Sequence, residues 1–155
     1  MKQYLFLFLA LGTLLVACDK DKFETKPQIS IKSVNNDRVP YNGILEVLLE
    51  FADKEGDVSD SLFVIRERLN RKNPIVSLPS PFKIPAFPER AQGEMQVRFD
   101  FQTQLVSGIP AIVIIPRTNP ATYEPDTMRL KFVARDLEGN VSDTVVLDNV
   151  IVERK

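Results

Sequence analysis

Apolar and polar residues alternate with a period of two along much of the chain after Gln28. This period is typical of β-strands that bury one face, whereas an amphipathic helix repeats about every 3.6 residues. The alternation is clearest at 95–101, which has the sequence MQVRFDF. It slips near Asp148 and Asn149, which predicts a bulge. The segments predicted as strands are 29–34, 45–51, 62–69, 95–101, 111–115, 130–134 and 144–152.

Residues 61–69 (SLFVIRERL) fit two kinds of secondary structure. A helix capped by Asp60 would place Leu62, Ile65 and Leu69 on one face. The consecutive apolar residues 63–65 and the short length of the segment favour a strand, which we predict. A basic cluster follows, which we interpret as a solvated strand end, with contact to lipid headgroups or an acidic partner as the alternative. Its members are Arg66, Arg68, Arg71 and Lys72.

Residues 73–88 contain five prolines, at positions 74, 79, 81, 85 and 88. Because proline has no backbone N–H to donate, this segment cannot lie inside a central strand. We predict an extended, polyproline-like crossover on the surface, which Phe82 and Phe87 pin onto the domain. A proline-rich ligand for the groove of a partner protein is the alternative.

A nine-residue pattern, D-x-E-G-[DN]-V-S-D-[ST], occurs twice, at 53–61 and at 136–144. Each copy follows a predicted strand and precedes another apolar segment. The first copy is therefore predicted to be the loop between the second and third strands, and the second copy to join the last two strands.

Residues 130–152 resemble the immunoglobulin-like domains of bacterial cell-surface lipoproteins, whose last two strands flank a D-x-x-G-N-x-S loop. Residues 45–64 resemble these domains less closely, and the proline-rich middle hardly at all. The resemblance implies an all-β, immunoglobulin-like sandwich of about seven antiparallel strands. In that fold the two repeated loops emerge at the same end and are neighbours. The chain lacks the cysteine pair and the buried Trp of antibody domains.

The repeated loops have two interpretations. In the one we favour they are turns, in which the first Asp accepts backbone hydrogen bonds and Gly56 and Gly139 supply a positive φ. In the alternative they bind calcium, because crowded carboxylates repel one another by about 1 kcal/mol per close pair even in water, and calcium takes about six to eight oxygen ligands. The spacing does not fit an EF-hand, and Asn140 replaces an acid in the second copy. The candidate calcium ligands are Asp53, Glu55, Asp57, Asp60, Asp136, Glu138 and Asp143.

The first seventeen residues carry one charge, Lys2, ahead of an apolar run, which is the pattern of a cleaved signal peptide. Residues 15–18 (LVAC) resemble the lipobox of bacterial lipoproteins, which implies that Cys18 is diacylated and becomes the first mature residue. Cys18 is the only cysteine, so an intramolecular disulfide is excluded. We therefore predict a signal peptide at 1–17, a lipidated cysteine and polar tether at 18–27, and the β-sandwich domain at 28–155.

The acidic residues after Cys18 resemble two different sorting signals. An Asp directly after the lipidated cysteine resembles an inner-membrane retention signal of enteric bacteria, whereas an acidic patch there resembles a surface-export signal of other Gram-negative groups. We expect a lipid-anchored protein of the cell envelope, in the outer membrane.

Removal of residues 1–17 takes one of the 20 basic side chains and leaves 19 against 21 acids, a formal charge of −2. This balance does not suggest a nucleic-acid partner. The chain has no histidine, which excludes an imidazole base, a His-ligated metal and a Ser-His-Asp triad. We therefore expect no enzyme, and a carboxylate-pair hydrolase is the remaining catalytic alternative.

The expected function is that of a non-catalytic, membrane-anchored lipoprotein whose β-sandwich mediates binding or assembly at the cell envelope, through a protein or glycan partner. No cofactor is required beyond the lipid on Cys18. A calcium-dependent or carbohydrate-binding surface module is the alternative. Sugars usually stack on aromatic rings, and the mature chain has no Trp and two tyrosines, Tyr41 and Tyr123, which argues against a glycan module.

Overall fold

The computed structural model describes residues 26–79, 81–115 and 122–155, and the described part of the chain is all-β. The predicted signal peptide, Cys18 and most of the tether lie outside these residues. No helix within the described ranges is long and apolar enough to cross a membrane. The strands of the described residues are β1 Gln28–Val34, β2 Arg38–Val39, β3 Ile44–Ala52, β4 Ser61–Arg68, β5 Ile75–Ser77, β6 Phe82–Lys83, β7 Gln92–Asp100, β8 Ile112–Ile115, β9 Thr122–Glu124, β10 Asp126–Arg135 and β11 Val145–Val152.

Two sheets form the body of this β-sandwich-like domain. The first is antiparallel, with the strand order β1-β3-β7. The second has the order β2-β11-β10-β4-β5, and β6 also pairs with β4. Among the described strands, β2 departs from the expected antiparallel arrangement, because it runs parallel to β11. β8 and β9 form a separate antiparallel pair.

The core lies between the two sheets and is built from alternate residues of their strands. Every second residue of β3 and of β10 is buried, as the period of two predicts. Phe99 of β7 packs edge-to-face against Phe132 of β10, with ring centroids 6.1 Å apart. Aromatic rings therefore connect the two sheets directly.

All seven predicted strands are present. The segment that could also have been a helix is strand β4, which pairs with β10 along its whole length. The predicted bulge is confirmed, because the pairing of β10 with β11 shifts between Met128 and Leu130 and Asn149 has a φ of 59°. The four strands that the pattern did not predict are β2, β5, β6 and β9, which have two or three residues each. Alternation is not visible over so few residues.

The strand predicted at 95–101 ends one residue early. The alternation continues to Phe101, but β7 stops at Asp100 and residues Phe101–Leu105 form a π-helical turn. The carboxylate of Asp100 caps this turn by accepting hydrogen bonds from the backbone N–H groups of Gln102 and Thr103. Phe101 is still buried, so its apolar character reflects a place in the core and not in a strand.

The proline-rich segment is only partly the crossover that we predicted. It contains β5 and β6, which are short and lie at the edge of the second sheet beside β4, with every proline outside them. The two phenylalanines pin the segment to the core as expected. Phe82 packs 5.3 Å from Phe99, and Phe87 packs 5.5 Å from Phe51, between ring centroids.

The prediction of a solvated basic cluster was wrong for Arg66 and Arg68, which are both buried. Arg66 donates hydrogen bonds to the backbone oxygens of Leu105 and Ser107, and burial lowers its pKa. Arg68 donates to Asp126, which is buried with it. Both arginines lie on the buried face of β4 with Leu62 and Val64. A charged side chain is buried only where a partner exists, and these partners are distant in sequence, so the sequence did not reveal them.

Candidate cation site at the loop end

The two repeated loops lie side by side at one end of the sandwich, which we call the loop end. The first loop connects β3 to β4, and the second connects β10 to β11. Arg135 at the end of β10 pairs with Ser61 at the start of β4, which brings the loops together. The backbone N–H of Leu137 donates a hydrogen bond to the backbone oxygen of Asp57, at 3.3 Å. The prediction that the two copies lie next to each other is confirmed.

Both copies fold with the same local hydrogen bond. Asp53 accepts from the backbone N–H of Asp57 at 3.0 Å, and Asp136 accepts from that of Asn140 at 2.7 Å. Gly56 and Gly139 have φ angles of 74° and 94°. A Cβ atom at Gly56 would also lie 2.8 Å from the backbone nitrogen of Arg90, so the first loop excludes other residues there for two reasons. The turn interpretation therefore describes the local geometry correctly.

Three of the repeated acids converge at the loop end. Each of Asp53, Asp57 and Asp136 offers a carboxylate oxygen, and these oxygens lie within 4.8 Å of one another. Asp53 is 0% exposed and Asp136 is 1% exposed, whereas Asp57 is half-buried. The repeat thus places three carboxylates from two distant segments in one largely buried site.

Several oxygens of this site lack a hydrogen-bond partner within the described protein. They are Oδ1 of Asp53, Oδ1 of Asp57 and Oε2 of Glu55, all buried and all from the first loop. The pKa of Asp53 is raised to about 6, and burial is the main cause. The effect of burial outweighs that of the hydrogen bond from the backbone N–H of Asp57, which lowers the pKa. The carboxylates of Asp57 and Glu55 also raise the pKa. The site is therefore rich in acceptors and poor in donors.

Three other candidate ligands lie outside this group of acids. Asp60 binds Arg135 at 2.6 Å, and Asp143 binds Lys26 at 2.5 Å. Glu138 is exposed. Among the ion pairs of the described residues, none involves Asp53, Glu55, Asp57 or Asp136, whereas basic side chains already neutralise Asp60 and Asp143. The structure therefore brings together three of the seven acids, and Glu55 acts on the pKa of Asp53 without joining their group.

Asn140 has a role at the site that the sequence did not suggest. Its side-chain amide donates to Oδ2 of Asp136 at 2.9 Å, while its backbone N–H donates to Oδ1. The replacement of an acid by Asn in the second copy therefore holds the carboxylate of Asp136 in place and lowers the number of negative charges.

The chain enters the domain at the loop end. Lys26 precedes β1 and pairs with Asp143 in the second loop. Gln28, the first residue of β1, pairs with Ala52, the residue just before Asp53. Residue 26 and the acidic loops are therefore at the same end, and the turns around Tyr41 and Phe101 are at the opposite end, which we call the far end.

Comparisons with known proteins give fold similarity alone. No family model matches the sequence, and no curated protein matches it. The chain is similar to part of the β-glucosidase of Listeria innocua, with 13% identity, a TM-score of 0.45 and coverage of 83% of this chain and 16% of that one. It is also similar to Spo0M, a sporulation control protein of Bacillus subtilis, with 13% identity, a TM-score of 0.45 and coverage of 84% of this chain and 50% of that one. This chain therefore spans half or less of the length of each of these structures.

Proposed function

We propose that this chain is a non-catalytic lipoprotein of the bacterial cell envelope, anchored in the outer membrane through a diacylated Cys18, whose β-sandwich mediates binding or assembly at the membrane surface. The observation that carries this proposal is the place where the chain enters the domain. Lys26 lies at the loop end and is only eight residues after Cys18. Eight residues span at most about 26 Å. A lipid on Cys18 would hold the loop end near the bilayer and present the far end to other molecules.

The finer assignment of the fold is part of the same proposal. We infer an immunoglobulin-like sandwich, since β1, β3 and β7 follow the order of immunoglobulin strands A, B and E. The sequence β11, β10, β4 and β5 follows the order of strands G, F, C and C′. Domains of this kind usually act by presenting loops and sheet faces to a partner, which is consistent with a function by contact.

The acids of the loop end do not favour catalysis. A pair of catalytic carboxylates must reach a substrate bond from an open cleft. Asp53 and Asp136 are buried between the loops, and a substrate has no access to them. The chain also has no histidine to serve as a base. These observations support a binding protein.

The aromatic residues of the far end do not favour a glycan site. The ring of Tyr41 packs edge-to-face against Phe101, and the ammonium group of Lys155 lies 5.6 Å from its centroid. A sugar that stacked on Tyr41 would have to displace this lysine. Tyr123 in β9 is half-buried. A protein partner therefore fits this end better than a sugar.

Membrane fractionation of a Gram-negative host that makes the full chain tests the anchor. We expect the wild-type protein in the outer-membrane fraction, with a mass that includes acyl chains and lacks residues 1–17. The Cys18→Ala variant should lose the lipid and leave the membrane fraction, while its circular dichroism spectrum stays that of a β protein. A wild-type protein without acyl chains would contradict the proposal.

Photocross-linking tests the orientation. A benzophenone amino acid at Leu137, which is 66% exposed in the second loop, should cross-link mainly to lipid. The same amino acid at Tyr41, at the far end, should give discrete adducts with protein. The reverse distribution would contradict the orientation and leave the anchor itself intact.

A further inference from the structure

We propose that Asp53, Asp57 and Asp136 bind one calcium ion between the two repeated loops. This proposal does not rest on the lipid anchor or on the function by contact. It assigns a metal to carboxylates whose oxygens are only partly hydrogen-bonded within the turns.

The spacing of the carboxylates fits a shared ion. Calcium binds oxygen ligands at about 2.4 Å, so two oxygens on one ion are at most about twice that distance apart. The ligand oxygens of Asp53, Asp57 and Asp136 lie within 4.8 Å of one another and meet this limit. Residues from two separate loops contribute, so the fold, and not one local turn, assembles the site.

The unpaired oxygen of Asp53 is the independent observation that points to a ligand. Its side chain is completely buried, its Oδ2 accepts from Asp57, and its Oδ1 has no partner in the described protein. Buried polar groups are nearly always hydrogen-bonded, because an unpaired one loses the solvation that it had in water. Oδ1 of Asp57 at the same site has the same deficit. A bound cation would satisfy both oxygens.

The charge at the site also lacks compensation from the protein. The two acids of the repeat that lie beside it, Asp60 and Asp143, are paired with Arg135 and Lys26. No ion pair of the described residues involves the three converging carboxylates, and Asn140 donates its amide to Asp136 without adding charge. A divalent cation would supply the missing positive charge at the point where the carboxylates meet.

The donor atoms select calcium over other metals. All the candidate ligands are oxygens, and the chain has no histidine, so the site lacks the nitrogen and sulfur ligands that zinc and copper favour. Magnesium needs near-ideal octahedral geometry at about 2.1 Å and gives up water reluctantly. Carboxylates from two separate loops suit the larger and less exacting calcium ion. The ion would join the β3–β4 loop, which crosses between the sheets, to the β10–β11 hairpin.

Calorimetric titration of the full-length protein in detergent, after treatment with a chelator, tests the proposal. We expect one calcium ion to bind per chain and magnesium to bind much more weakly. Calcium at about a hundred times its dissociation constant should raise the thermal midpoint by several degrees relative to chelator. The absence of calcium binding, or an equal response to magnesium, would overturn the assignment.

Three variants separate a specific site from a general effect of charge. Asp53→Asn should abolish the calcium response and raise the midpoint in chelator, because it removes a repelling charge while its amide oxygen can still accept from Asp57. Asp57→Asn changes the least buried of the three ligands, and it provides the same test if Asp53→Asn does not fold. Glu138→Gln removes one exposed charge from the second loop and should leave the calcium response unchanged. An equal loss of response in Glu138→Gln would overturn the site.

Discussion

Asp126 is a buried acid that is paired with two arginines. It is fully buried and contacts two arginines: Arg68 at 3.2 Å, which is also fully buried, and Arg154 at 2.5 Å. Arg154 in turn donates to the backbone oxygen of Ile109. This group of charges links the ends of β4, β10 and β11, and its members compensate one another in a buried site.

We predict that Asp126→Asn destabilises the domain by about 3 to 5 kcal/mol, because it leaves the buried guanidinium group of Arg68 and the largely buried one of Arg154 without a counter-charge. Urea unfolding measures the change. The matched control is Asp148→Asn, which removes an acid from the exposed pair with Arg129 and should cost at most about 1 kcal/mol. Equal losses in the two variants would show that burial does not control the strength of these pairs.

At the scale of residues, the sequence correctly predicted that the repeated acids lie close together, but it did not predict that Arg66 and Arg68 are buried. The repeated pattern showed that Asp53 and Asp136 occupy equivalent positions, and a known turn chemistry explained both. Nothing adjacent to Arg68 in the sequence points to Asp126, which lies 58 residues away. The selection of three acids from the seven candidates also depended on distant partners, since Arg135 and Lys26 neutralise two of the others.

At the scale of elements, the end of β7 shows how one capping residue overrides an apolar pattern. The carboxylate of Asp100 accepts hydrogen bonds from Thr103 and Gln102. These bonds, above all those from Thr103, hold the pKa of the carboxyl below its usual value. An acid with a lower pKa in the folded state stabilises the fold above its unfolded pKa, which is about 3.9. That contribution is lost as the pH falls through the folded pKa.

We therefore predict that Asp100→Ala lowers the thermal midpoint by a few degrees at pH 7, and that the difference from wild type narrows as the pH falls below about 4. Thermal melts across this pH range measure the difference. Glu89→Ala removes an exposed acid elsewhere and should not show the same pH-dependent difference. A gap for Asp100→Ala that is unchanged at low pH would contradict the role of the charged cap.

Elements with clear alternation were predictable, whereas elements defined by a few pairings were not. β3, β7 and β10 have nine or ten residues, over which a period of two is clear. β5 and β6 exist because they lie beside β4, and their own two or three residues carry no period. Phe101 is buried, as the alternation predicts, but its backbone belongs to the π-helical turn and not to a strand.

At the scale of the whole molecule, the two sheets depend on a small set of aromatic rings. Phe99 of the first sheet contacts both Phe82 and Phe132 of the second, at 5.3 and 6.1 Å between centroids. Edge-to-face contacts of this kind add to the burial of apolar area.

We predict that Phe99→Ala destabilises the domain by about 3 to 5 kcal/mol, because it leaves a cavity between the sheets. Denaturant unfolding monitored by circular dichroism measures the loss. Val146→Ala, on the exposed side of β11, should cost less than about 1 kcal/mol. A similar small loss for Phe99→Ala would mean that the sheets repack without the ring.

The sequence does not predict that the chain enters the domain beside the acidic loops. Lys26 and Asp143 are 117 residues apart, and the polar composition of the tether does not indicate which end of the sandwich it joins. The pairing of Gln28 with Ala52 determines this, because β1 could begin at either end of the first sheet until its partner is known.

The proposed lipid anchor would couple the proposed calcium site to the ion atmosphere of the membrane. An anionic surface at about −30 mV concentrates divalent cations about tenfold, and this enrichment decays over about 8 Å of physiological buffer. Lys26 is eight residues after Cys18, so a lipid on Cys18 would hold the loop end within about 26 Å of the membrane surface. The same carboxylates would therefore hold calcium more tightly on an anionic membrane than in detergent, and the occupancy of the site would report how closely the domain lies against the lipid.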